Sequence, residues 1–414
     1  MQGNRSRWPA VAALAVLAGC GGAPDTGASA AGPLVRDSAG IRIVENRPAE
    51  RRGGPGWRLA DRPLFDLGGL EGPAETQFFE IGDGTLLSDG GFVLAGYGSY
   101  DLRRFAADGR HLWTAGREGD GPGEFEGLTS VTAGPGDTLL AYDFRQRRIS
   151  RWDPDGGFLD SRQLADAEGP GFPFVETLLP DGRAVYTWRT FALDGLPPEG
   201  EIRRDTLEVR VAVPGESEAT RIGRFPGPET LIMRQSETAQ GMRLISGSPP
   251  FARSTHVAAT SDAIWVGDGA EPVVRRFGFD GALQAIVRLP VATRPVDEAM
   301  VRRGLAAQLE SAEDEEERDL ARQRWEELPV PEALPFFEAL ETDATGNLWV
   351  RAFQAPGDEK RTWHVISPDG TWLGSLDVPD RYGPLAIGRD AMLARYADEL
   401  DVEHVQLREI LRPD

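Results

Sequence analysis

A polar or glycine turn followed by a short apolar run recurs six times along this chain. The copies are Asp89-Gly90-Gly91-Phe92-Val93-Leu94, Pro135-Gly136-Asp137-Thr138-Leu139-Leu140, Asp181-Gly182-Arg183-Ala184-Val185-Tyr186, Ser261-Asp262-Ala263-Ile264-Trp265-Val266, Asp343-Ala344-Thr345-Gly346-Asn347-Leu348-Trp349-Val350 and Arg389-Asp390-Ala391-Met392-Leu393-Ala394. Asp, Asn and Gly favour the turn, and β-branched and aromatic residues favour the strand. The residues expected to be buried first are Phe92, Leu139, Ala184, Ile264, Leu348 and Leu393. Their successive separations are 47, 45, 80, 84 and 45 residues. A period near 45 with two stretched intervals predicts a repeat architecture carrying two insertions.

Each repeat reads as a unit of four short strands. The units span about 79–116, 125–164, 174–225, 255–291 and 336–378, and the sixth starts near Tyr382. That last unit shows three strands and then ends, which would leave an open sheet edge. The extended piece Trp57–Leu67 precedes the first complete unit and is expected to supply the missing strand, closing a ring. Ile41–Val44 is expected to add a further edge strand or to pack alongside. The prediction is an all-β, six-bladed β-propeller over 34–414, with four-stranded antiparallel blades and an N-terminal segment completing the last one.

The stretched intervals have different characters. Pro226 to Pro250, including Met233, Arg234, Gln235 and Ser236, reads as a loop excursion. Within 295–335, Met300, Val301, Leu305 and Leu309 fall at helical spacing. Glu313–Glu317 reads as an acidic bend, a solvated turn or the start of a helix. Asp319 to Leu328 resumes the helix, and Pro329 and Pro331 end it. This predicts a helical insertion between blades four and five.

Composition narrows the partners. The formal net charge is −21, which disfavours nucleic acid and anionic lipid headgroups as ligands. Residues 1–19 carry Arg5 and Arg7 followed by the short apolar run Ala10–Leu17, the pattern of a signal peptide. Leu17-Ala18-Gly19-Cys20 resembles a bacterial lipoprotein processing site. The resemblance implies that Cys20 becomes the lipidated N-terminus and binds the membrane. Cys20 is also the single cysteine, which excludes an intramolecular disulfide. Residues 20–33 then read as a flexible tether. The expected location is the bacterial cell envelope, lipid-anchored, with Gly21 pointing to the outer membrane.

Gly116-Arg117-Glu118-Gly119-Asp120-Gly121-Pro122-Gly123-Glu124-Phe125 resembles the blade-joining loop of NHL-type repeats. The chain from Asp37 onward resembles six-bladed β-propeller lipoproteins of bacteria. It does so through Asp37-Ser38-Ala39-Gly40-Ile41-Arg42-Ile43-Val44-Glu45-Asn46, Pro329-Val330-Pro331-Glu332, Gly346-Asn347-Leu348-Trp349-Val350 and Asp401-Val402-Glu403-His404-Val405. Such a fold hosts enzymes, scaffolds and ligand binders alike.

Two function classes stay open on these residues. The first is a lipid-anchored module that binds a small ligand or an envelope protein, with no cofactor. The second is a metal-dependent hydrolase resembling gluconolactonases, with a divalent cation such as Ca²⁺ in the central channel. Glu176, His256 and Glu338 are the candidate channel-lining residues, because each lies near the start of an inner strand. Glu176 and Glu338 fall at different offsets from their hairpins, so they need not share a layer. His111, His364 and His404 fall on or beside outer strands and read as structural. No Gly-x-Ser-x-Gly elbow and no phosphate-binding Walker motif occurs. The Gly119–Gly123 run joins strands and does not open a helix.

Overall fold

The structure, a computed structural model, describes residues 32–47, 56–164, 171–189, 200–238 and 241–412. Residues 1–31, on which the signal-peptide and lipidation expectations and most of the tether expectation fall, lie outside the described residues. Residues from Pro33 onward form one compact unit.

Two hairpin strands come first, β1 (Leu34–Ser38) and β2 (Ile41–Glu45), and then β3 (Arg58–Leu59) and β4 (Phe65–Gly68). Sheet one follows with β5 (Ile81–Leu86), β6 (Phe92–Gly96), β7 (Asp101–Phe105) and β8 (His111–Ala115). Sheet two holds β9 (Leu128–Ala133), β10 (Leu139–Asp143), β11 (Arg148–Trp152) and β12 (Phe158–Gln163). Sheet three holds β13 (Phe172–Leu178), β14 (Ala184–Arg189), β15 (Ile202–Ala212), β16 (Thr220–Thr238) and β17 (Gly241–Gly247). Sheet four holds β18 (Thr255–Ala259), β19 (Ile264–Asp268), β20 (Val273–Phe277) and β21 (Leu283–Arg288). Sheet five holds β22 (Phe337–Thr342), β23 (Leu348–Ala352), β24 (Lys360–Ile366) and β25 (Trp372–Pro379). Sheet six holds β26 (Gly383–Ile387), β27 (Ala391–Ala397) and β28 (Glu403–Leu411).

Within each sheet the chain meanders antiparallel from strand to strand. Six hydrophobic clusters pack these sheets face to face, and each cluster draws on two neighbours. Sheets one and two share Phe125, Leu128 and Trp152 with Val93 and Leu102. Sheets two and three meet at Tyr142, Tyr186 and Trp188. Sheets three and four meet at Val209 and Val266, four and five at Trp265 and Phe337, and five and six at Trp349 and Met392. The sixth cluster joins sheet six to sheet one through Leu393, Val405, Phe92 and Leu94. The arrangement is that of a β-propeller, in which stacking buries the sheets' apolar faces and leaves only short edges.

The N-terminal segment supplies the outer edge of sheet six. Both β3 and β4 pair antiparallel with β28, with Ile410 opposite Leu59 and Leu407 opposite Phe65. Phe65 stacks on Phe92 at 5.0 Å, and Phe92 stacks on Phe105 at 5.0 Å, so this edge is tied into sheet one. The β1–β2 hairpin goes elsewhere. It extends sheet four, with β2 running parallel to β21. Asn46 then reaches sheet five, donating to the Gly370 carbonyl at 2.9 Å and accepting from Trp372 N–H at 2.8 Å.

One sequence expectation needs correction. Residues read as a loop from Pro226 onward continue β16 to Thr238 and return as β17. Leu231, Met233 and Ile245 pack against Leu320 and Leu328 from the helical segment, a partner distant in sequence. Of the two readings of the acidic run, a turn or a helix start, the second holds from Glu315. Helix α1 (Glu298–Ser311) ends before it, and α2 (Glu315–Arg322) begins inside it. Asp297 caps α1 by accepting from Met300 N–H at 2.8 Å, and Asp314 caps α2 from Glu317 N–H at 2.9 Å. Acidic residues in a first turn also favour the helix dipole. A π-helical turn over Gln323–Glu327 then delivers Trp325 into a cluster with Phe251, Leu334 and Ala355.

Candidate functional site

The inner strands β5, β9, β13, β18, β22 and β26 surround a central cavity of about 550 Å³. Side chains and backbone stitch these strands to one another. Thr85 Oγ1 accepts from Ala133 N–H at 3.2 Å, and Thr177 Oγ1 accepts from Ala259 N–H at 3.2 Å. Thr342 Oγ1 donates to the Ala259 carbonyl at 3.0 Å, and Ala344 N–H donates to the Ile387 carbonyl at 2.9 Å. Ile81 N–H donates to Glu403 Oε2 at 3.1 Å, linking sheet one to sheet six. Short β residues with one hydroxyl suit this position, because each inner strand must satisfy its channel-facing edge without a neighbouring ladder.

Carboxyl groups punctuate this lining. Asp83 accepts from Gly84 N–H at 2.8 Å through one oxygen and from Val131 N–H at 2.9 Å through the other, bridging β5 and β9. Burial pushes its pKa up to about 7. Glu341 lies on the same wall of residues, and burial pushes its pKa up to about 7 as well, against the opposing charge of Arg351. The Asp83 charge adds to the rise at Glu341, so the two carboxyls sense each other across the cavity. Asp343 also lines the cavity, but its oxygens are engaged by its own turn and by Trp349.

The three residues singled out from sequence divide. Glu176 lines the cavity; it is open to channel water while enclosed by protein, and Thr187 Oγ1 donates to it at 2.7 Å. Enclosure raises its pKa. His256 and Glu338 are not part of this cavity's wall. His256 packs edge-on against Phe337 with ring centroids 5.9 Å apart. Burial, reinforced by Arg351, pulls its imidazole down to about 4, so it is neutral at pH 7. Glu338 pairs with Arg351 at 3.0 Å, and burial raises its pKa. Arginines connect the three electrostatically: Arg189 acts on Glu176 and His256, and Arg351 acts on His256 and Glu338.

The remaining histidines sit in side-chain bonds of the outer strands. His364 Nδ1 is 2.8 Å from Ser375 Oγ, and His111 Nε2 is 2.8 Å from Thr114 Oγ1. His404 lies 3.4 Å from both Asp66 and Asp398.

Among the described residues, no three His, Cys, Asp or Glu side chains converge as a metal-holding group. Glu176, His256 and Glu338 therefore do not fit a Ca²⁺ site built from several protein oxygens, and no step through a metal follows from them. Sequence reading missed Asp83 and Glu341. A signal existed in both cases. Each is a carboxylate inside a short inner strand, Ile81–Leu86 or Phe337–Thr342, just ahead of a recurrent turn.

No family model matches the chain, and no curated protein matches it. Solved structures do resemble it in outline. A member of the DUF4221 family from Bacteroides vulgatus is 10% identical, with a TM-score of 0.49, covering 86% of this chain and 99% of that one. A gluconolactonase from Xanthomonas campestris is 13% identical, with a TM-score of 0.41, covering 88% and 97%. Regucalcin, a calcium-binding protein from Agrobacterium tumefaciens, is 12% identical, with a TM-score of 0.40, covering 85% and 95%. No residue role is carried over from these proteins. The class defined by the sheet order itself is a β-propeller, with three four-stranded antiparallel sheets, two of five strands and one of six. No described helix is long and apolar enough to cross a membrane.

Proposed function

We propose that the chain is a lipid-anchored binding module of the bacterial cell envelope, a six-bladed propeller with a helical insertion between its fourth and fifth blades. The observation that carries this reading is the central cavity of about 550 Å³, walled by all six inner strands. That volume falls within the range of small-molecule sites, roughly 300–1,000 Å³. The lining offers hydroxyls and carboxyls for recognition. The anchor is Cys20, reached through the tether of residues 20–33. The acidic surface argues against nucleic acid as a partner.

The test of the anchor is fractionation of the full chain in a Gram-negative host. The expected result is membrane association and a diacylated Cys20 in the N-terminal peptide by mass spectrometry, both lost in Cys20→Ser. A soluble wild type with an unmodified Cys20 overturns it. The test of the binding role is a thermal-shift screen of small cations, neutral polyols and carboxylates, with elemental analysis of the same preparation. Stabilisation by any of these solutes supports a ligand site. Metal retained at about one ion per chain after dialysis, as a single dedicated site would require, moves the reading to a metal-dependent hydrolase.

A further inference from the structure

We infer that the central cavity takes a small organic cation bearing primary ammonium groups. This rests on the reading of the cavity as a ligand site and names the chemistry it selects. The lining includes the carboxyls of Asp83, Glu176, Glu341 and Asp343, and no arginine, lysine or histidine. The nearby cations stand behind the wall and are engaged there. Arg351 pairs with Glu338 at 3.0 Å, Arg395 faces Glu403 at 3.8 Å, and Arg189 stacks over the Phe174 ring at 4.7 Å. An anion entering the cavity meets carboxyls and threonine hydroxyls with no donor of positive charge.

Glu341 adds the feature that points to a ligand. It is half-buried, faces the cavity and accepts no hydrogen bond from any described residue. A partly desolvated carboxyl without a protein partner gains from a charge-assisted hydrogen bond, which an ammonium group in the cavity supplies. Asp83, across the same space, has its two oxygens on backbone N–H groups and retains lone pairs for a second ammonium.

The lining also selects among cations. It contains no aromatic side chain, so the cage that holds quaternary ammonium ions is absent. The threonine and serine hydroxyls of the inner strands accept hydrogen bonds from an –NH₃⁺ group, which a tetraalkylammonium ion cannot donate. The fit is to a hydrophilic amine with two or more ammonium groups.

The experiment is isothermal titration of the detergent-solubilised full chain with 1,4-diaminobutane, 1,4-butanediol and tetramethylammonium at matched ionic strength. The expected result is saturable binding of the diamine at about one per chain, with neither of the other probes binding, as a single charge-selective cavity requires. In Glu341→Gln the diamine affinity falls by about tenfold or more, the size expected for one lost charge-assisted contact. The surface variant Glu310→Gln leaves it unchanged. The comparison of diamine with diol in the wild type needs no variant and stands if Glu341→Gln folds poorly. Equal binding of diol and diamine overturns the cation selectivity while leaving a ligand cavity. Absence of diamine binding, or binding unaffected by Glu341→Gln in a folded protein, overturns the inference. Failure of every solute in the broader screen removes the ligand-site reading beneath it.

Discussion

The carboxylate of Asp343 accepts the indole Nε1–H of Trp349 at 2.9 Å, with both side chains buried. The same carboxylate accepts from Thr345 N–H at 2.8 Å, Asn347 N–H at 3.0 Å and Asn347 Nδ2 at 2.8 Å. One side chain thus holds the turn, with Gly346 at a φ of 84°, and fastens it to the core. Replacing it leaves a buried indole donor and two turn amides without acceptors. Asp343→Ala should cost about 3 kcal/mol in urea unfolding, and Asp343→Asn should cost less, because its amide oxygen still accepts.

Closure of the ring by the N-terminal segment predicts an unequal pair of neighbours. Phe65 is buried between β28 and the Phe92 ring, whereas Leu64 is 58% exposed. Phe65→Ala should destabilise the whole body by about 3–5 kcal/mol. Leu64→Ala should stay within about 0.5 kcal/mol. Denaturant midpoints measured side by side check this. Equal effects would mean that β4 does not hold the sixth sheet.

Two half-buried groups predict opposite pH slopes. Glu341 has its pKa raised to about 7, so its stabilising contribution is complete below its unfolded value and is lost as pH rises through about 7. Glu341→Gln should therefore gain on the wild type between pH 4 and 8, by roughly 2 kcal/mol after allowance for channel water. His256 has its pKa lowered to about 4, so its contribution is complete above 6.5 and is lost as pH falls through about 4. His256→Asn should gain on the wild type toward acid pH. Urea midpoints across this range for the three proteins separate the two slopes.

Helix α1 meets Trp325 at Gly304, where a Cβ would lie 2.1 Å from the indole ring. Gly304→Ala should push helix and ring apart despite its better helix propensity, at a cost of about 1–3 kcal/mol. The effect should be local. Hydrogen exchange over 298–327 should accelerate, while the strands of sheets one and two keep their protection.

What the chain revealed in advance follows from the range of the forces involved. The turn at Asp343 was legible because its bonds run between Asp343, Thr345, Asn347 and Trp349, all within seven residues. The pairing of β4 with β28 was legible from a missing strand, an argument about edges. The extension of β16 was not, because Leu231 and Met233 find their apolar partners at Leu320 and Leu328, about ninety residues on. The place of β2 was half legible: its strand character is local, but its parallel seat on β21 depends on residues 42 and 285 meeting. Asp83 and Glu341 escaped for the same reason. Each looks like an ordinary polar residue before a turn, and only six converging strands make it part of one cavity wall.

The β1–β2 hairpin is the first element of the body in chain order and sits at the edge of sheet four. Tension arriving along the chain at Pro33 loads the five cross-strand pairs from Leu34–Glu45 to Ser38–Ile41 first. Beyond them stand the parallel contacts of β2 with β21 and then the Asn46 clasp on sheet five. The strands β3 and β4 that complete sheet six lie further along the chain than all of these. A pull applied at Pro33 would therefore reach the hairpin and the edge of sheet four before the seam that holds sheet six.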